Sequence, residues 1–264
     1  MKYLIRALHA ELMKTKRTLA FWLALIAPAV IVGLQALIFY DRHEIYLAKV
    51  DTFDVWIEYG AQTLFMWGLL MLPLFITLET ALVAQWEHRG QQWKHLFALP
   101  VPRGVFYVAK ELAGMFLIGL SCLFLVALIV LSGWGLRLLI PGLGFEKPVP
   151  VMDFIHFASI MFLGAWLMIS LQTWVAQRWS SFAVASAVGI AITVIGVVAI
   201  QSEKWGPYYP STLPVIVANG FVDSMSSLNG LTTGLPFKEL AFGIFGGILA
   251  ALIGGWEIVR RDVL

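Results

Sequence analysis

Six long apolar runs separated by short polar connections dominate the chain. They cover approximately residues 19–39, 62–84, 107–134, 154–176, 182–200 and 237–258. Each run can form a helix long enough to cross the hydrocarbon core of a bilayer, which takes about 20 residues. The pattern predicts an all-α membrane protein, with six transmembrane helices in one transmembrane domain over residues 1–264. Pro28 and Pro73 fall inside runs and predict kinks rather than sites.

The composition agrees with this pattern and excludes some classes of function. The chain is 60% hydrophobic and 13% charged, whereas soluble domains are about 25% charged. Its formal net charge of only +2 does not indicate a nucleic-acid partner. The single cysteine, Cys122, lies in the third run, so we expect a small packing residue and neither an intrachain disulfide nor a cysteine metal site.

The distribution of Lys and Arg predicts the orientation of the spans. Of the 18 such residues, five lie in the N-terminal segment, four between the second and third runs, one between the fourth and fifth, and two at the C-terminus, twelve in all. The other connections hold six, and the first of them is acidic. Cytoplasmic connections carry the excess of Lys and Arg. We therefore expect a multi-pass membrane protein with both termini in the cytoplasm.

The N-terminal segment, residues 1–18, is amphipathic but too polar to span the bilayer. Leu4, Ile5, Leu8 and Leu12 recur at helical spacing, and Glu11 falls among the basic residues on the remaining faces. This pattern is typical of a helix that lies in the membrane interface. The alternative is an ordinary basic flank to the first span.

The longest outer connection, residues 201–236, contains the apolar stretch LPVIVANGF, Leu213–Phe221. The stretch is too short to cross the membrane and too apolar for an open loop, which predicts a re-entrant or interfacial segment. It is either an outer lid at the exit of a substrate path or a membrane-anchored loop without a direct role.

Glu79 is the one acidic residue that the pattern places well inside a span. A carboxylate within the membrane is costly and usually faces protein or water, so Glu79 is a candidate for the translocation path. The alternative is structural, with Glu79 reaching toward the cytoplasmic interface near Glu87. We also expect Gln35, Gln62, Gln172 and Thr173 to form hydrogen bonds between helices.

The sequence contains no recognisable enzyme site. Its five histidines are scattered, and HExxH, GxSxG and the phosphate-binding GxxxxGK[ST] are absent. An intramembrane enzyme would have to combine Glu79 with His156, which lie toward opposite sides of the membrane. We expect no catalytic residue, metal or cofactor in this chain, so any ATP it uses must be hydrolysed by another chain.

The most polar internal connection is residues 85–106, on the predicted cytoplasmic side. Arg89 and Gly90 allow a bend, and two helical turns follow with Trp93, Leu96 and Phe97 on one face. Lys94 points elsewhere, and Pro100 ends the helix. A short helix with one aromatic face suits a groove on a partner. The alternative is a surface hairpin.

The order of residues in this connection resembles the cytoplasmic loop of the ABC-2 family permeases, the membrane subunits of bacterial ABC exporters. The residues that carry the resemblance are Glu87, Gly90, Trp93, Lys94, Leu96, Pro100, Arg103, Ala109 and Lys110. The N-terminal ELMKTKR and the C-terminal WEIVRRDVL resemble the family's two ends. The former contributes Glu11, Lys14, Lys16 and Arg17, and the latter Trp256, Arg260, Arg261 and Asp262.

The resemblance implies that residues 85–106 form a coupling loop that docks on an ATPase. Coupling would rest on Glu87, Arg89, Gly90, Trp93, Lys94, Leu96, Phe97 and Pro100. It further implies a dimer of cytoplasmic ATPase subunits that binds ATP and Mg²⁺, and a second permease, identical or related, with membrane lipids around both. The substrate would be amphipathic or hydrophobic, such as a peptide antibiotic, lipid or drug, as in lantibiotic immunity. The alternative function is a sensory or assembly subunit that moves no cargo.

Overall fold

The chain forms a bundle of helices. The computed structural model describes residues 2–16, 18–48, 54–89, 101–217, 219 and 237–260, without the side chains of residues 86–89. These residues contain no strand, which confirms the all-α prediction. The helices are α1 (Lys2–Thr15), α2 (Leu19–Asp41), α3 (His43–Leu47), α4 (Val55–Met66), α5 (Leu72–Arg89), α6 (Arg103–Leu139), α7 (Val151–Gly164), α8 (Trp166–Arg178), α9 (Phe182–Ala199) and α10 (Phe237–Arg260).

Within this described part, five helical stretches and one bent pair are long and apolar enough to cross a bilayer. The five are α2, the continuous stretch from α4 into α5, α6, α9 and α10, and the pair is α7 with α8, bent by 45°. Counting the pair as one span gives the six that the hydrophobic pattern predicts. We call the end of the bundle with α1, the start of α6 and the end of α10 the basic end.

The second and third spans are longer than the apolar runs. The second begins at Val55, not near Gln62, because the Asp54 side chain caps the helix by accepting the Trp56 N–H at 2.9 Å. Gln62 donates to Glu58 at 2.5 Å and accepts from Gln35 at 2.7 Å. The polar residues at the start of the second span are typical of a loop in sequence, but in the structure they form hydrogen bonds that keep them within the helix.

The third span, α6, exceeds its predicted limits of 107 and 134 because charged residues lie within the helix. It begins directly after Pro102 and continues to Leu139. Lys110 and Glu111 are buried in its first turns. The residues beyond the predicted limits include Arg103 and Arg137. A count of apolar residues leaves them out, whereas a helix can continue through a charged residue near its end because the long side chain reaches the membrane interface.

A π-helical segment, Trp67–Met71, interrupts the second span immediately before Pro73. Proline lacks the N–H that would bond to the carbonyl four residues earlier, and its ring crowds that carbonyl. One wider turn relieves this conflict without ending the helix. The predicted kink at Pro73 thus takes the form of a π-bulge.

The apolar middle of the long outer connection is buried between the spans. Residues 213–217 are helical, and Leu213, Val215 and Val217 have no exposed surface. A Cβ on Gly68 of the π segment would lie 3.1 Å from Val215, and one on Gly164, at the bend between α7 and α8, 3.4 Å from Val217. Both helix irregularities thus contact the same inserted segment.

Helix α10 approaches the fourth span closely through glycines. A Cβ on Gly243 would lie 3.0 Å from the carbonyl oxygen of Gly164, and one on Gly247 2.7 Å from the Trp166 ring. Small residues allow this spacing, on which packing between helices in a membrane depends.

Replacing Gly243 with alanine is expected to destabilise the bundle by about 1–3 kcal/mol, the usual cost of overpacking. The Gly33→Ala variant is the matched control, because a Cβ on Gly33 meets nothing within 4 Å, and alanine favours a helix over glycine. Denaturant titration of the purified protein in detergent measures both. Equal stability of the two variants would contradict the proposed close contact.

Candidate functional site

The predicted coupling loop is described only at its two attachment points. Helix α5 continues to Arg89 and includes Glu87 in its last turn, and α6 begins at Arg103. The side chains of Glu87 and Arg89, and all of Gly90, Trp93, Lys94, Leu96, Phe97 and Pro100, lie outside the described residues. The two-turn helix therefore stays a prediction, and the site is built from the side chains around these attachment points.

A buried ion pair joins the N-terminal helix to the start of the third span. The Nζ of Lys110 donates to Oε2 of Glu11 at 3.1 Å, and the Nζ of Lys14 donates to Oε1 of Glu11 at 2.7 Å. The Lys110 side chain is 2% exposed and that of Glu11 6%. The pair thus brings together two residues that the resemblance assigns to separate motifs.

The surroundings of Glu11 stabilise the ionised form of its carboxyl group. Burial alone would raise the pKa of its carboxyl group, but Lys110 and Lys14 together outweigh burial and lower that pKa below the ordinary value of 4.5. Opposite charges within a few ångströms favour the ionised form in this way.

The structure confirms a helix at residues 2–15 but corrects the side on which Glu11 lies. Glu11 and Thr15 are buried against the bundle, whereas Ile5 of the expected apolar face is 65% exposed. The helical wheel failed here because Lys110, the partner of Glu11, lies 99 residues away. No local pattern contains that partner.

Three further polar contacts join helices at the basic end. Ser170 of α8 donates to Glu111 at 2.5 Å, and both residues are buried. Trp174 Nε1 of α8 donates to Glu257 of α10 at 2.7 Å, and Arg178 forms an ion pair with Glu257. Together with the Glu11–Lys110 ion pair, these contacts link α1, α6, α8 and α10.

The sequence predictions missed several of these residues. Glu111 was overlooked as an acid inside a span because its neighbour Lys110 suggested a connecting loop. Glu257 lies within the C-terminal motif but was not singled out. Both acids lie within one or two helical turns of a predicted membrane boundary, and this position is the feature of the sequence that could have identified them.

Glu79 is completely buried and does not reach the basic end. Its side chain has no exposed surface, and neither carboxyl oxygen has a hydrogen-bond partner. The carboxyl group therefore does not reach the surface of the bundle, and the choice between a translocation role and a structural role stays a prediction. Burying a carboxylate without a partner is costly, so Glu79 is a strained position in the second span.

The other predicted polar residues pack between helices. Gln35 binds Gln62, and Gln172 donates to the carbonyl oxygen of Ala185 at 2.8 Å, as expected. Thr173 is buried. Cys122 is a buried free thiol in the main core, as predicted. The described residues include no cluster of three or more His, Cys, Asp or Glu that could hold a metal ion.

Comparison with known families finds a match over most of the chain. The model of the ABC-2 family transporter protein matches residues 7–199. This chain belongs to the ABC-2 transporter family. A comparison with curated proteins finds no match. The matched range includes Glu11, the coupling loop and Lys110, and it ends before the inserted segment and the last span.

Replacing Lys110 with methionine is expected to destabilise the ABC-2 protein toward the lower end of about 3–5 kcal/mol, the cost of removing one partner of a buried ion pair. Lys14 remains to neutralise Glu11 in part. The double variant Glu11→Leu/Lys110→Met should recover most of this loss, because it removes both buried charges of the pair and Lys14 is part-exposed. Denaturant titration measures the free energy of unfolding of the wild type, the single variant and the double variant. Additive losses of this free energy would show that the two residues do not interact.

The pairing of Glu11 also predicts a dependence of stability on pH. Its pKa is lower in the folded protein, so its contribution is complete above the ordinary value and is lost as the pH falls through the folded value. The Glu11→Gln variant should lack this acid-range loss, while Glu44→Gln, at an exposed position, should retain it. Unfolding midpoints measured across the acid range test both, and identical profiles for wild type and Glu11→Gln would refute the assignment.

Proposed function

We propose that this protein is the permease subunit of an ATP-driven exporter in a bacterial cytoplasmic membrane. The observation that supports this most directly is the Glu11–Lys110 ion pair. It connects the N-terminal helix to α6 within two turns of the point where the coupling loop re-enters the bundle. Such a connection lets a force on the loop reach two helices.

In this proposal the basic end faces the cytoplasm and receives a dimer of ATPase subunits. The excess of Lys and Arg at this end supports the orientation. ATP and Mg²⁺ bind to the ATPase, and a second permease, identical or related, completes the complex. Residues Glu87 to Leu99 dock on the ATPase.

Closure of the ATPase dimer on ATP moves the coupling loop, and the loop moves the helices attached to it. Helix α6 is the shortest route, because it begins at Arg103 and carries Lys110 two turns later. The ion pair makes α1 follow α6. The contacts from Glu111 to Ser170 and from Trp174 to Glu257 then pass the movement to α8 and α10. Only contacts that differ between two states can drive such a change.

The substrate is amphipathic or hydrophobic, such as a peptide antibiotic, a lipid or a drug. The apolar face of α9 supports this class, with Val194 58% and Val198 69% exposed on one helical side. A route between two permeases could use this face. Glu79 is buried inside one bundle, so a substrate reaches it only if the second span separates from its neighbours.

The coupling assignment predicts that Glu87→Gln and Trp93→Ala each weaken association with the partner ATPase subunit. We expect less ATPase in pull-downs, less stimulation of ATP hydrolysis and less export, with normal insertion of the permease into the membrane. Trp205→Ala is the matched control, because Trp205 is 68% exposed at the opposite end.

Normal ATPase binding and export by both coupling variants would disprove the docking role of this loop. Normal ATPase binding without export of any of a panel of peptides, lipids and drugs would favour the sensory or assembly function instead.

A further inference from the structure

An apolar groove lies on the bundle surface where α1, α6 and α7 meet. Its volume is about 630 Å³. Leu8 and Leu12 of α1 line one edge, the stretch of α6 between Leu112 and Leu123 forms the wall, and Phe162 of α7 lies opposite. The groove is separate from the apolar face of α9 that we propose for translocation.

The groove has the depth of one membrane leaflet. Its wall on α6 covers eleven residue steps, from Leu112 to Leu123, and a helix rises 1.5 Å per residue, giving roughly 17 Å. Half of the hydrocarbon core is about 15 Å thick. Because Leu112 lies half a turn beyond Lys110, the groove begins at the basic end and reaches the middle of the bilayer.

The lining selects a hydrocarbon occupant. All but one of its side chains lack a hydroxyl, amide or charge, and the exception, Ser159, donates to the carbonyl oxygen of Ile155 at 2.7 Å. A polar ligand would therefore lose its hydration without gaining a hydrogen bond from these side chains. An acyl chain has no polar groups, so it loses no hydrogen bonds to water when it enters the groove.

The N-terminal segment that forms one edge of the groove is basic. Lys2, Arg6 and Lys16 of this segment are exposed. Glu11, the one acid in α1, is turned inward and held by Lys110 and Lys14. Basic residues at the interface attract anionic headgroups, by about 1 kcal/mol each.

We propose that this groove binds one acyl chain of an anionic phospholipid from the leaflet at the basic end, with its headgroup against α1. The ion pair fixes α1 over the start of α6, so it maintains both the apolar edge of the groove and the position of the basic residues on α1. The lipid thereby becomes part of the surface through which α1 and α6 pack. This inference needs no ATPase and stands independently of the proposed transport.

The test uses the full-length protein in vesicles that contain phosphatidylglycerol with a photoreactive diazirine near the end of one acyl chain. We expect labelled peptides from α6 and α7 after illumination. Gly119→Leu should reduce this labelling several-fold, because a Cβ at Gly119 lies 3.7 Å from Phe162 and a longer side chain enters the groove. Should that variant fail to insert, Ser159→Leu blocks the same groove from α7.

Gly33→Leu is the matched control, since a Cβ on Gly33 of α2 meets nothing within 4 Å. It should leave the labelling of α6 and α7 unchanged. Uniform labelling of α2 and α6, or labelling that Gly119→Leu does not reduce, would overturn the proposal. Crosslinks from the groove to a second copy of the chain, or to residues 90–100, would overturn it in favour of those occupants.

A second comparison tests the headgroup. A phosphatidylcholine probe with the same photoreactive chain should label the groove less than the phosphatidylglycerol probe does. The Arg6→Gln variant should reduce this difference in labelling between the two probes. Equal labelling by the two probes in the wild type would refute the anionic headgroup.

Discussion

The buried ion pair between Glu11 and Lys110 is the interaction on which the arrangement at the basic end depends. Without it, an amphipathic helix of 14 residues would be held by apolar contacts and headgroups alone, and isolated helices of that length are marginal in water. The pair fixes the helix against the third span, at 3.1 Å. A buried pair is weak evidence for stability as such. The pair instead determines the position of α1 relative to the start of α6, where the predicted coupling loop re-enters the bundle.

The same requirement for internal partners explains the irregular parts of the spans. In a bilayer, polar groups must find partners inside the protein. Gln35, Gln62 and Glu58 form a chain that extends the second span outward, and Asp54 caps it. The π segment before Pro73 and the bend at Gly164 both contact the inserted residues 213–217. The bundle therefore departs from straight helices where proline or an inserted segment requires it. Among the described residues, Glu79 is one of several buried polar residues without a hydrogen-bond partner.

Much of the fold followed from the hydrophobic pattern, whereas the candidate site followed from it only in part. Six apolar runs predicted six spans, because hydrophobicity is a local property of the sequence. The apolar stretch after residue 212 predicted a re-entrant or interfacial segment, but its packing between the spans depends on distant residues. The bounds of the second and third spans were too narrow, since Glu58, Arg103 and Arg137 are charged and yet lie within the helices. The partner of Glu11 could not be predicted from a helical wheel, because it depends on how α1 packs against α6. The motif resemblance identified both residues without indicating that they meet.

The central claim is that α1 and the start of α6 move together when the motor closes. Distances between spin labels at exposed positions test this directly, with Met13 on α1, Val108 on α6 and Val184 at the start of α9. The native Cys122 is buried, so it interferes little with labelling. When a non-hydrolysable ATP analogue and Mg²⁺ are added to the permease–ATPase complex, the distance from Met13 to Val108 should stay constant while that from Met13 to Val184 changes. A changed distance between Met13 and Val108 would contradict the account.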